Sequence, residues 1–306
     1  HSLATGGTGG FSIKNLGMAV YSRYAQTVMT VFMLLFSVNF TVYYLLLVRR
    51  FRQAFHNEEL WTFLGITLVS IVIITLNILP QIGSLGTAIH QASFTVASII
   101  STTGFGTVDF TAWPEYCKWI LVLLMFCGGC AGSTGGGLKL SRLMILGKSM
   151  GVSLKQMARP RSVTRVQMDG RRVEDGTVRA ASLFFAFYMA LLLLFSLLVS
   201  LDGCDLATSF TAALSCLSNI GPGMTRVIGP SGNFAFFSGR TKLLLSLAML
   251  LGRLEFYPIF VLLSPLPLLS SETVAPSAQN DVRESHAGFI ESEINESFRK
   301  DFAFML

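Results

Sequence analysis

The sequence predicts an all-α polytopic membrane protein, and three observations predict it. Hydrophobic residues make up 52% of the 306 residues and charged residues 13%, where a typical soluble domain carries about 25% charge; mean hydropathy is +0.59. Several apolar runs approach or reach the roughly 20 residues that a helix needs to cross hydrocarbon. The basic residues collect in the segments between those runs, as in loops kept on the cytoplasmic side of a membrane.

Taken in order, Thr27–Val48 is the first spanning run, closed by Arg49, Arg50 and Arg52. Trp61–Leu79 is the second, ended by Pro80. Thr87–Ile100 is shorter and more polar, too short to cross. Tyr116–Cys127 resumes the apolar pattern, breaks at the glycine-rich stretch Gly128–Gly137 and continues weakly over Leu138–Leu146. A polar, basic segment runs to Arg179, followed by the span Ala180–Leu201, a second short stretch Leu206–Leu217, and a last span Leu243–Leu269. The tail from Glu272 to Leu306 is polar and acidic.

The net charge of +6 does not read as a nucleic-acid face, because aromatic–basic interleaving is absent. Ten basic residues between Lys139 and Arg179 face only Asp169, Glu174 and Asp175, and the loop Arg49–Glu59 sets three arginines against Glu58 and Glu59. Both loops are expected to be cytoplasmic, which places the two short apolar stretches toward the outer side. Five cysteines in mostly apolar stretches are not a disulfide framework; the pair Cys127 and Cys130 reads as packed thiols. The four histidines have no metal-ligand spacing, and no Ser/His/Asp set or carboxylate pair suggests an enzyme or a cofactor.

One local pattern occurs three times. Thr8-Gly9-Gly10-Phe11 stands near the start, Thr102-Thr103-Gly104-Phe105-Gly106 follows the first short stretch, and Ser218-Asn219-Ile220-Gly221-Pro222-Gly223 follows the second. Setting Gly9 beside Gly104 and Gly221, the repeating unit is a span, a short re-entrant helix, a glycine turn and a span. Repetition of such a unit points to pseudo-symmetry about a central axis. Irregular backbone at membrane depth is tolerated where it is buried or lines water. Glycine can turn its carbonyl inward, and ringed carbonyls can replace the hydration shell of K+. The candidate ion-binding residues are therefore Thr8, Gly9, Gly10, Thr102, Thr103, Gly104, Asn219, Ile220 and Gly221, acting through backbone carbonyls. The competing reading is ordinary glycine turns on outer loops.

These motifs, with Gly128-Gly129-Cys130-Ala131-Gly132-Ser133-Thr134-Gly135-Gly136-Gly137-Leu138-Lys139 and Met249-Leu250-Leu251-Gly252-Arg253-Leu254-Glu255, resemble the Trk/Ktr/HKT superfamily of potassium transporters, and in detail the TrkH-type membrane subunit. The resemblance covers about Thr8 to Pro265. It implies repeated helix–re-entrant pore helix–helix units around a central ion pore in the cytoplasmic (inner) membrane. Four units are implied, of which this chain would hold the end of the second (1–60), the third with a broken inner helix (61–160) and the fourth (161–271), followed by the tail 272–306. On that view the chain is a fragment or a degenerate product. The resemblance further implies K+ as the transported ion, a lipid-embedded homodimer of the full-length subunit, and a cytosolic nucleotide-binding regulatory ring of the TrkA kind; the basic loop is a plausible docking surface for it.

Within this resemblance Gly128, Gly129, Gly132, Ser133, Thr134, Gly135, Gly136 and Gly137 form an intramembrane gate below the filter, against the alternative of close helix packing by small residues. A phosphate-binding loop is a poorer fit, since Lys139 is flanked by leucines. Arg253 lies within an apolar run, where a charge is costly and tends to face a cavity or a partner; a positive barrier near the gate competes with a snorkelling or paired arginine. Asp109, Asp202 and Asp205 either attract cations at the mouth or are ordinary loop charges. Two rival functions stay open: a secondary transporter with broken helices, and a nonfunctional truncated remnant.

Overall fold

The computed structural model describes residues 1–14, 17–159 and 165–254. Glu255, the second half of the run Leu243–Leu269 and the tail 272–306 lie outside the described residues. The described chain is helical: α1 (Ser2–Gly6), α2 (Arg23–Ser37), α3 (Phe40–Leu47), α4 (Phe51–Phe55), α5 (Glu58–Ile82), α6 (Leu85–Ile100), α7 (Glu115–Cys127), α8 (Leu140–Ala158), α9 (Asp175–Ser200), α10 (Leu206–Leu217) and α11 (Gly239–Arg253), with a two-stranded hairpin of β1 (Gln167–Met168) and β2 (Arg171–Arg172).

Local chemistry explains the starts. Ser22, Asn39, Asn57, Asp205 and Ser238 each accept a backbone N–H of the first turn of the helix that follows, satisfying donors that a helix cannot satisfy itself. Asn57 and the first-turn acids Glu58 and Glu59 open α5, and Gly83 closes it at φ +71, a left-handed cap suited to glycine. Pro80 does not end this helix as expected. It sits within the last turn, three residues before the Gly83 cap.

Two units share one order of elements. In the first, long α5 packs on short α6 and on α7; in the second, long α9 packs on short α10 and on α11. α5 and α9 are long and apolar enough to cross a membrane, and both carry exposed apolar side chains such as Leu68, Leu76, Leu193 and Leu197. α6 and α10, at 16 and 12 residues, extend only about 24 and 18 Å. Every residue of 94–100 and of 211–218 is buried. A helix enclosed on all sides by protein can end inside the molecule, as these two do. α1 and α2 supply a third, shorter copy, joined to α6 by a core of Met18, Met29, Met33, Phe94, Ala97 and Phe105.

The run Thr27–Val48 is not one straight span. α2 and α3 meet at 90°. Val38 and Asn39 are outside helical geometry, and Asn39 restarts the chain by capping Thr41 N–H at 2.8 Å. The break is held from elsewhere: Cys130 N–H donates to Ser37 O at 2.9 Å and Phe40 N–H to Gly132 O at 3.2 Å. Glu59 is likewise no loop charge, being 3% exposed inside the first turn of α5. The polar segment after Leu146 is largely the continuation of α8, then the hairpin, whose Asp169-Gly170 turn has positive φ at both residues.

Candidate functional site

Three loops follow the ends of α1, α6 and α10, and their backbone hydrogen bonds follow one pattern. After α6, Ser101 N–H bonds Ala97 O, Thr102 N–H bonds Ile99 O and Thr103 N–H bonds Ser98 O, each at 3.0 Å. After α10, Ser218, Asn219 and Ile220 make the same three bonds to Leu214, Cys216 and Ser215 at 2.9–3.1 Å. After α1, Gly7, Thr8 and Gly9 make them to Leu3, Thr5 and Ala4 at 2.7–3.2 Å. In each copy the residue after the cap and the glycine two places on have positive φ: Thr8 and Gly10, Thr102 and Gly104, Asn219 and Gly221. Gly10, not Gly9, therefore stands in register with Gly104 and Gly221. Asparagine tolerates this region; for the β-branched Thr8 and Thr102 it costs of order 1–3 kcal/mol each.

Polar side chains of the short helices brace the loops. Ser98 Oγ donates to Phe105 O at 2.7 Å, and Ser215 Oγ accepts from Gly221 N–H at 3.0 Å. Ser101 and Thr103 share a hydroxyl bond of 2.7 Å. Tyr188, buried on α9, is 2.7 Å from Ser218 Oγ.

The loops lie side by side. The Thr103 carbonyl oxygen occupies the place where a side chain on Gly10 would start, and the Ile220 carbonyl oxygen does so for Gly104. Glycine is needed here for the approach of one loop to the next as well as for its φ. One cavity of about 580 Å³ is bordered by Thr8, Gly9, Gly10, Gly104, Asn219, Ile220 and Gly221. Thr102 and Thr103 are wholly buried and do not border it. Lys242 stands at this cavity's edge, its ammonium 3.0 Å from Ala235 O.

The stretch 128–139 lies against all three loops from the other side. Thr8 Oγ1 donates to Thr134 O at 2.9 Å, and Gly136 N–H donates to Thr102 Oγ1 at 2.7 Å. A Cβ on Gly136 would stand 2.6 Å from Ser218 O. Gly128, Gly132 and Gly137 have positive φ, as does Lys139, so the path is closed to most other sequences. A second cavity, about 210 Å³, is bordered by Ser133, Thr134, Gly135, Gly136, Gly137 and Arg253. Arg253 ends α11, is exposed and lines both cavities. Its Nη1 donates to Thr134 O at 3.0 Å, while Lys139 Nζ reaches Ser133 O at 3.4 Å.

The three aspartates have local tasks away from these walls. Asp109 accepts from Thr111, Asp205 caps α10, and Asp202 accepts Ser238 N–H at 2.8 Å and Ser238 Oγ at 2.9 Å. The Ser238 amide holds the Asp202 carboxyl below its usual range. All five cysteines are free thiols, and no cluster of metal-ligating side chains exists among the described residues.

The family model for the TrkH cation transport protein matches residues 1–272. The chain belongs to this family. Among its relatives is the Trk system potassium uptake protein TrkG of Escherichia coli K12, 33% identical over 269 residues, covering 86% of this chain and 54% of TrkG. The TrkH protein of Salmonella typhimurium is 32% identical over 272 residues, covering 87% of this chain and 55% of its own length. The crystal structure of the potassium transporter TrkH from Vibrio parahaemolyticus superposes with a TM-score of 0.79 at 30% identity, covering 87% of this chain and 57% of that one. The fold is thus that of a helical membrane transporter of the TrkH family, and the chain spans about half the length of the curated relatives it matches.

Proposed function

We propose that this chain is the part of a four-unit K+ pore from the end of the second unit through the fourth, passing K+ inward across the cytoplasmic membrane down its electrochemical gradient. Residues 1–60 would close the second unit, 61–160 form the third and 161–271 the fourth. The observation that carries this reading is the threefold recurrence of one loop backbone, each copy at a helix end and each packed on the next. In this reading such loops would present backbone oxygens to an ion, and the C-terminal ends of α6 and α10 would add negative potential for a cation.

In this reading Thr8–Gly10, Thr102–Gly104 and Asn219–Gly221 are the filter, and α6 and α10 are re-entrant pore helices. The stretch Gly128–Gly137 is the gate: it fills the space beneath the filter and is tied to it through Thr8 and Thr102. Arg253 and Lys139 place positive charge on the same stretch, opposing a cation at that level. A homodimer of the complete subunit and a cytosolic nucleotide-binding ring acting on the basic loops belong to the same proposal. The test is ion flux through the complete subunit in liposomes. K+ conduction that exceeds Na+ conduction and is lost in Gly104→Ser supports the reading. Saturable, alternating-access uptake would favour a secondary transporter instead.

A further inference from the structure

We infer that Glu59 is the positioning residue that latches the stretch 128–139 shut, an assignment that rests on the gate reading above. One oxygen of Glu59, Oε1, accepts Ala131 N–H at 2.7 Å and Ser141 N–H at 3.0 Å. Ala131 lies within the first part of the glycine-rich stretch and Ser141 follows its end, so a single carboxylate atom holds the stretch and the start of α8 together. The side chain is 3% exposed.

The need for this contact is visible in α8. Its N-cap is Lys139, which has no side-chain capping bond, and its first turn contains no acid. A helix start with basic residues and no local cap leaves backbone donors unpaired and the positive end of its dipole uncompensated. Glu59 supplies the acceptor and the negative charge from a different helix. A local cap would bind α8 only to itself; this one binds α8 and the start of the glycine stretch to α5. The same stretch is closed on itself by Leu140 N–H to Gly129 O at 3.0 Å. Movement of Ala131 or Ser141 away from α5 must therefore break a bond to Glu59. The neighbouring Glu58 N–H donates to Asp169 Oδ1 at 2.6 Å, and Lys148 pairs with Glu58 and with Gln167 O. The β1–β2 hairpin is thus fastened to the same turn of α5 as the latch.

The test measures basal K+ flux per inserted molecule of the complete subunit in liposomes, with hydrogen exchange across residues 128–141. Glu59→Ala is expected to raise basal flux about tenfold. Glu59→Gln keeps an acceptor oxygen of the same reach, so it should raise flux only about threefold and speed exchange at Ala131 and Ser141. Arg253→Gln and deletion of Gly132–Gly136 serve as independent probes of the gate. Should these two raise flux while both Glu59 variants conduct like the parent, showing at most a lower melting temperature, Glu59 is only a helix cap and the latch is refuted. Should all four conduct like the parent, the gate reading falls and the latch with it. If Glu59→Ala does not insert, Glu59→Gln decides by the same criteria.

Discussion

Arg253 Nη1 donates to the Thr134 carbonyl oxygen at 3.0 Å, joining the last turn of α11 to the middle of the glycine-rich stretch. Thr8 Oγ1 donates to the same oxygen at 2.9 Å. One carbonyl therefore receives a bond from the proposed filter and a charge-assisted bond from the proposed barrier. The Arg253 guanidinium also borders the two cavities on either side of this point. A unit charge about 6 Å from a passing cation raises its energy by about 3 kcal/mol at an effective dielectric of about 20, and water in the cavities screens part of that.

Arg253→Gln removes this charge and should raise K+ flux about tenfold in the complete subunit. Arg253→Lys keeps the charge but not the planar fork, so its flux should stay near the parent value. Flux in liposomes, normalised to inserted protein, checks both. A glutamine variant that conducts like the parent and is merely less abundant would make Arg253 a structural residue.

Thr102 couples the second loop to the glycine-rich stretch, because its hydroxyl accepts Gly136 N–H at 2.7 Å in a wholly buried site. Thr102→Ala leaves that amide unpaired, at about 1–3 kcal/mol. It should raise basal flux several-fold, whereas Thr102→Ser retains the hydroxyl, relieves the β-branched strain and should stay closed. Equal flux in the two variants would show that this bond does not hold the stretch.

Tyr188 and Ser218 are buried and 2.7 Å apart through their oxygens. Tyr188→Phe removes this brace behind the third loop. The expected loss is about 1 kcal/mol in stability, with K+ over Na+ preference lowered about twofold to threefold. Thermal unfolding in detergent and paired K+ and Na+ flux measure the two effects. A lower melting temperature with unchanged ion preference would limit Tyr188 to stability.

Deleting Gly132–Gly136 should increase basal flux by an order of magnitude or more, since this segment carries Thr134 and the Gly136 amide that meet Thr8, Arg253 and Thr102. Flux at or below the parent value, with parent levels in the membrane, would argue that the stretch is packing and not a gate.

Much of this architecture is written in local sequence. Apolar runs at Trp61–Leu79 and Ala180–Leu201 mark α5 and α9, and Thr87–Ile100 and Leu206–Leu217 mark α6 and α10 within a residue or two. The glycine motifs mark all three loops. What escaped was set by contacts and bonding patterns that residue counting does not show. In the apolar run Thr27–Val48 only Asn39, a helix-start residue, hints at the right-angle break after Ser37, and the partners that hold it are the distant Cys130 and Gly132. The register of Gly10 with Gly104 depends on bonds to Ala4 and Ser98 and not on the count of glycines. Glu59 looks like a loop acid by charge, and only the fold sets it against Ala131 and Ser141. The Asp169-Gly170 turn is a different case: an Asp-Gly pair is a hairpin signal present in the sequence itself.

The central claim is that the three matched loops form an ion filter, and Gly104 tests it most directly. Its φ is +81, and the Ile220 carbonyl oxygen occupies the place of its side chain, so Gly104→Ser must displace the second loop, the third, or both. The measurement is K+ and Na+ flux through the complete subunit in liposomes, parent against Gly104→Ser, at matched protein incorporation. The expected result is a parent that favours K+ and a variant whose K+ flux falls at least tenfold or whose preference for K+ over Na+ disappears. Unchanged flux and unchanged preference in a correctly inserted Gly104→Ser subunit would contradict the filter.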